Sequence, residues 1–155
     1  MPTPAIRLLE EAGVTFELHH YTVSQAVGDG YGEAVAAALD VDPERVFKTL
    51  VAVADDSLVL AVVPVTSRLS TKALARAAGA KRTAMADPSE AERVTGYVVG
   101  GVSPVGSRTR LPLYLDSSGK AFETIFVSAG KRGLQVELDP DDLLAVASGR
   151  SDTLT

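Results

Sequence analysis

Two apolar runs, Val46 to Ala54 and Leu58 to Val65, stand only three polar residues apart, with Asp55-Asp56-Ser57 between them. Both are rich in Val, Leu and Ala, and the intervening triplet reverses the chain, so the fold must contain two successive strands here. Leu58 to Val65 is almost continuously apolar, as a central strand or one lining a closed sheet would be, and Pro64 ends its ladder. The first run carries one foreign residue. Alternation sets Lys48 on the face of Val46, Leu50 and Ala52, which reads as an inner face. An ammonium held among apolar side chains is costly unless it has a partner or a task. Lys48 is therefore the first candidate for function.

The flanking sequence supplies helices and further strands. Thr3-Pro4 opens a helix that Gly13 closes, and Val14 to Tyr21 alternates as a strand. Gly28 to Gly32 is a flexible loop leading into a short helix from Glu33 to Leu39, and Asp42-Pro43 marks a capped turn. Ser70-Thr71 caps a helix through Ala78. Asp87-Pro88-Ser89-Glu90 has capping-box spacing, with Glu90 reaching back and Gly96 closing the helix. Tyr97 onward reads as a strand breaking into a glycine-rich loop. Strands follow at Leu111 to Leu115, Glu123 to Ser128 and Leu134 to Leu138, and Asp139-Pro140 caps a last helix through Ala147. This irregular order excludes a regular doubly wound sheet. It predicts a mixed α/β fold, a curved, barrel-like mixed sheet with peripheral helices, as one domain over 1–150 and a polar tail over 151–155.

Charge and composition narrow the function. A net charge of −5 argues against nucleic-acid binding by bulk attraction, yet Ser57 to Leu115 holds eight basic residues against three acidic ones. A local basic surface is thus available, with Lys72 and Arg76 one helical turn apart. Without cysteine there is no disulfide, thiolate zinc site or cysteine nucleophile. The N-terminus lacks a basic segment followed by an apolar run, and no stretch reaches 18 apolar residues, so a cytoplasmic protein without a membrane segment is expected.

The usual catalytic sets are missing. The two histidines, His19 and His20, are adjacent and point apart on a strand, so they cannot chelate one metal together. No Gly-x-Ser-x-Gly occurs. Gly101 to Gly106 has the outer spacing of a phosphate loop, but Ser107-Arg108 stands where Lys-Ser/Thr is required. What remains is Lys48 and two glycine-rich loops, Gly100 to Gly106 and Ala129 to Gly133. Such loops can bring backbone N–H groups to a carbonyl or a phosphate, or can be plain tight turns.

Four stretches in order, Val46-Phe47-Lys48-Thr49-Leu50, Thr95 to Gly106, Arg110-Leu111-Pro112 and Val127 to Leu134, together resemble the YbaK family. These are Cys-tRNA(Pro) deacylases related to the editing domain inserted in bacterial prolyl-tRNA synthetases. The resemblance spans nearly the whole chain. It implies hydrolysis of the ester joining a wrong amino acid to the terminal adenosine of tRNA(Pro), without cofactor or metal, beside prolyl-tRNA synthetase as partner.

It also implies a site. Lys48 matches the family's essential lysine, with Thr49 beside it, and Gly100-Gly101-Val102-Ser103-Pro104 matches the Gly-x-x-x-Pro loop, whose backbone would position the ester and meet its developing negative charge. Tyr21 and Tyr31 fall at aromatic positions of the pocket, and Ser128 and Gly130 at its far wall. Gln135 stands where several members have aspartate, which removes a charge. In the family's mechanism the substrate cysteine's own thiol attacks its ester carbonyl, releasing tRNA and a thiolactone, so that no protein nucleophile is needed. Two other expectations stay open: an Ala-tRNA(Pro) deacylase using activated water, and a module that binds a tRNA end or nucleotide without hydrolysis.

Overall fold

A computed structural model describes residues 2–155. Helices α1 (Pro4–Ala12), α2 (Tyr31–Leu39), α3 (Thr71–Ala78), α4 (Pro88–Thr95) and α5 (Pro140–Ala147) surround eight strands: β1 (Phe16–His20), β2 (Phe47–Ala54), β3 (Ser57–Pro64), β4 (Thr83–Met85), β5 (Leu113–Asp116), β6 (Ile125–Lys131), β7 (Leu134–Leu138) and β8 (Arg150–Asp152). The fold is mixed α/β. Its ladders form two sheets, ordered β1-β7-β6 and β4-β2-β3-β5-β8, and no closed ring of strands is present among the described residues. The sheets meet at a single bridge between Val46 and Phe126.

The paired apolar runs are β2 and β3, antiparallel with Phe47 opposite Pro64 and Ala54 opposite Ser57. Strand β3 is central, antiparallel to β2 and parallel to β5. This accounts for its unbroken apolar sequence: Leu60 and Val62 face the main core, while Val59, Ala61 and Val63 face a second cluster closed by Leu74 of α3. The same partition sharpens the expectation for Lys48, whose face is an inner one but packs on the smaller apolar clusters and not on the main core. On β2 it is Phe47 and Val51 that enter the main core, with Leu9 of α1 and Leu143 of α5, whereas Ala52 and half-buried Leu50 pack on the second cluster. Lys48 itself is half-buried at the end of that other face.

Helix ends follow the local chemistry. Thr3 accepts a hydrogen bond from Ile6 N–H (3.2 Å) and donates one to the Ala129 carbonyl, so the N-cap of α1 also ties the helix to β6. Ser70, Asp87 and Asp139 cap α3, α4 and α5, and Asp42 caps the 3-10 turn Pro43–Arg45. The capping box at Asp87 does not form as expected. Asp87 takes the N–H and hydroxyl of Ser89, while Glu90 lies 3.8 Å from Arg93.

Two further differences concern the chain after α4. Tyr97 to Val99 is not a strand: Tyr97 is buried, its hydroxyl donates to the Val105 carbonyl (2.8 Å), and the Val98 and Val99 side chains are exposed. Residues 151–155 are not a polar tail. Strand β8 pairs in parallel with β5, and Leu154 is fully buried in the second cluster, its N–H donating to buried Asp116 (2.8 Å). The β8 ladder, the Leu154 side chain, the Asp116 carboxylate and the Ser70 N–H, which donates to the Leu154 carbonyl (2.7 Å), hold the end in place.

Candidate active site

A cavity of about 380 Å³ opens where the two sheets meet, between α2, the start of β2, the face of β6 and β7 turned away from the main core, and the loop after α4. Its walls are mostly apolar, with Val27, Val35 and Val65 among them. Lys48, Thr49, Tyr31, Gly100, Ser128 and Gln135 all line it. Met85 and Val99, both exposed apolar side chains, line it as well.

Strand register explains the polar wall. Ser128 on β6 lies directly opposite Gln135 on β7, and both alternate with residues that enter the main core, so their side chains share the other face. Both are buried. The Ser128 hydroxyl accepts the N–H of Gly130 (3.1 Å), across the irregularity where β6 departs from its register. Gln135 Oε1 and Thr49 Oγ1 are buried without any hydrogen-bond partner among the described residues. Both residues line the cavity, where water or a ligand can reach them. Lys48 forms no ion pair among the described residues either. The cavity therefore offers a half-buried ammonium, a threonine hydroxyl that can donate or accept, and an amide carbonyl that accepts, a set that favours a polar, partly anionic ligand.

Tyr31 begins α2, and its hydroxyl lies 3.5 Å from that of Tyr21, long for a hydrogen bond. Burial, then the Tyr21 hydroxyl and its charge, push the Tyr31 phenol up to about 12, with Arg132 opposing in part. Tyr31 is thus a neutral hydrogen-bonding group at any physiological pH. Tyr21 reaches the cavity only through Tyr31, its N–H being bound to the Gly133 carbonyl (3.0 Å).

The remaining expected residues do not line the cavity. Gly101 is seated on the β6–β7 turn, where a Cβ would lie 2.9 Å from the Lys131 Cα. Ser103 is fully buried, and Pro104 faces a different cleft, lined by Arg7 and Arg110. Gly130, at φ +105°, lets the chain pass Tyr97, whose ring a Cβ would approach to 2.8 Å. These four support the loops, and a motif written in sequence order cannot distinguish such a residue from one that faces the ligand. Conversely, sequence reasoning passed over Val27, Met85 and Val99, for which only their nearness to the glycine loops and β2 offered a signal.

One cluster lies outside the cavity. Glu17, His19 and Glu137, on paired strands β1 and β7, bring ligand-type atoms within 4.8 Å of one another. Glu137 is already engaged by His19 Nε2 (2.9 Å), Arg45 (3.2 Å) and the Thr124 hydroxyl (2.5 Å). Burial alone would raise its carboxyl pKa, but these hydrogen bonds and the His19 and Arg45 charges outweigh burial and hold it below the usual range. Among the described residues, no helix is long and apolar enough to cross a membrane.

Residues 30–146 match the aminoacyl-tRNA editing domain family, and the chain belongs to that family. Within it, the chain is 36% identical over 154 residues to EbsC of Enterococcus faecalis, provisionally named a Cys-tRNA(Pro)/Cys-tRNA(Cys) deacylase, covering 99% of this chain and 93% of EbsC. An 82-residue stretch, 53% of the chain, is 37% identical to 14% of the proline–tRNA ligase of Moorella thermoacetica. A crystal structure provisionally described as a trans-editing enzyme for prolyl-tRNA synthetase superposes with a TM-score of 0.85 at 26% identity, over 100% of this chain and 99% of the other.

Proposed function

We propose that this chain is a trans-acting deacylase that removes cysteine from mischarged Cys-tRNA(Pro). The observation that carries the reading is the convergence of Lys48, Gly100, Ser128 and Gln135 on one apolar cavity in an editing domain. The likeness to EbsC over nearly all of both chains supports a free-standing role.

The chemistry suits a site without a protein nucleophile. The substrate cysteine sulfur attacks its own ester carbonyl, the C–S bond forms, the ester C–O bond breaks, and the thiol proton passes to the leaving ribose oxygen. The products are tRNA and a cyclic thiolactone, which water then opens. The protein folds the aminoacyl group into reactive geometry and meets the oxyanion, and positioning of this kind can supply roughly 7–11 kcal/mol of a barrier. The Lys48 ammonium offsets negative charge on the terminal nucleotide and favours the thiolate of the substrate. Gly100, at φ +87°, brings backbone to the ester. The mostly apolar walls accept the side chain without strong selection by fit, so chemistry selects: alanine and proline carry no thiol. The acceptor end of tRNA(Pro) is the ligand, and prolyl-tRNA synthetase is the partner that holds the tRNA body, since an acidic protein binds RNA weakly by itself.

The Thr49 hydroxyl and Gln135 Oε1, which make no hydrogen bond to protein among the described residues, favour a second reading, in which they hold a water that hydrolyses Ala-tRNA(Pro). A panel of tRNA(Pro) charged with cysteine, alanine, serine or proline, with and without synthetase, separates the two: cysteine release alone supports the thiol route. Lys48→Ala should lower the rate roughly 100-fold with the fold intact. Full activity in that variant would remove Lys48 from the mechanism.

A further inference from the structure

The loop after α4 contains two successive peptide units, Val98–Val99 and Val99–Gly100, with four polar groups between them. Three are fixed. The Val98 carbonyl accepts the Gly101 N–H (2.9 Å), the Val99 N–H donates to Glu92 Oε2 (2.9 Å), and the Val99 carbonyl accepts both Nε (2.9 Å) and Nη2 (2.7 Å) of Arg132. The fourth, the N–H of Gly100, makes no hydrogen bond among the described residues.

All peptide bonds of the described residues are trans, so the Gly100 N–H points away from the Val99 carbonyl of the same plane. That carbonyl is turned toward Arg132, which does not line the cavity, whereas Gly100 does. We infer that Arg132 and Glu92 are positioning residues that clamp Val99 from both sides and aim the Gly100 N–H at the developing oxyanion. The Gly101 N–H, spent on the Val98 carbonyl, is not the donor.

The guanidinium is suited to this task. Its two parallel donors fix the carbonyl in direction as well as distance, which the point charge of a lysine cannot do. The loop is further seated by close approach: a Cβ on Gly100 would lie 2.7 Å from Val27 Cγ2 and 3.0 Å from Arg132 Nε. A preset donor needs no reorganisation when charge develops, and a shift of about 1 Å can cost roughly 100-fold in rate.

The inference rests on the deacylase reading for its rate effect but not for its geometry, so both are measured. In the full chain, Arg132→Ala should lower kcat for Cys-tRNA(Pro) roughly 100-fold with KM within about threefold, and free guanidinium should restore part of it. Arg132→Lys should recover little. Hydrogen exchange at the Val99 and Gly101 amides should quicken by at least about tenfold in Arg132→Ala and in Glu92→Ala, with the melting temperature of the whole chain nearly unchanged. Lys131→Ala, which removes an equal charge from the next residue, should alter none of these. A raised KM with unchanged kcat and unchanged exchange would make Arg132 an RNA contact and overturn the clamp. Normal exchange at both amides in Arg132→Ala overturns it on any substrate. If the wild type deacylates nothing while exchange quickens as expected, the clamp stands and the deacylase reading falls.

Discussion

Gln135 offers the most direct test of the cavity as a site kept for a ligand. The residue is 6% exposed, and its Oε1 has no protein partner among the described residues. No protein group competes for it, so in the folded chain it is open to water or to a ligand in the cavity. Gln135→Met keeps the length and flexibility of the side chain and removes the amide. Because the amide has no protein partner to lose, the change should alter stability by less than about 1 kcal/mol. At roughly 2–4 °C per kcal/mol for a chain of this size, the melting temperature should stay within about 4 °C of the wild type in thermal denaturation followed by circular dichroism. Activity should fall all the same: loss of one hydrogen bond to the bound aminoacyl group, about 1.4 kcal/mol, lowers kcat/KM about tenfold. A buried amide whose removal costs activity and leaves stability alone belongs to function. A variant that melts well below the wild type would refute this, because the amide would then have a structural partner in solution.

Two other measurements address the rest of the fold. The Glu137 carboxyl is held below its ordinary range, so its contribution to stability is present above about pH 4.3 and is lost as pH falls through the depressed value; Glu137→Gln should melt lower than the wild type at pH 7, with the gap closing in acid, and a gap independent of pH would contradict the cause given. Leu154→Ala, at a fully buried position, should cost about 2–5 kcal/mol in urea denaturation, whereas an unchanged midpoint would mean that the chain end is free in solution.

Much of the fold was legible because its signals are local. Thr3-Pro4, Asp42-Pro43, Ser70 and Asp139-Pro140 each stand at the N-cap their chemistry predicts, and Gly13, Gly79 and Gly96 close their helices in the left-handed conformation. The misread segments depend on distant partners. Arg150 to Asp152 has no strand signature, and only the edge of β5 makes it one. Tyr97 to Val99 has strand propensity, but Glu92 and Arg132 take the Val99 backbone groups that a ladder would use. Alternation placed Lys48 on the right set of neighbours yet could not tell which face of β2 meets the main core. Within the site, family motifs located Lys48, Gly100, Ser128 and Gln135, while Pro104 and Gly130 share those motifs and turn elsewhere.

The single bridge between Val46 and Phe126 has a consequence for how this cavity can change. Val46 and Val65, which line it, belong with Ala36 and Phe126 to a small apolar cluster at the junction of the two sheets. Ladders hold each sheet internally, but across the junction there are one backbone bridge, the Arg45 hydrogen bonds to Thr124 and Glu137, and side-chain packing. A larger or smaller residue at Val46, Val65 or Ala36 can therefore spread or narrow the junction without cutting a ladder or moving Lys48 along β2. The pocket lies on a seam, and its width is an adjustable property of a scaffold whose polar lining residues keep their places on the strands.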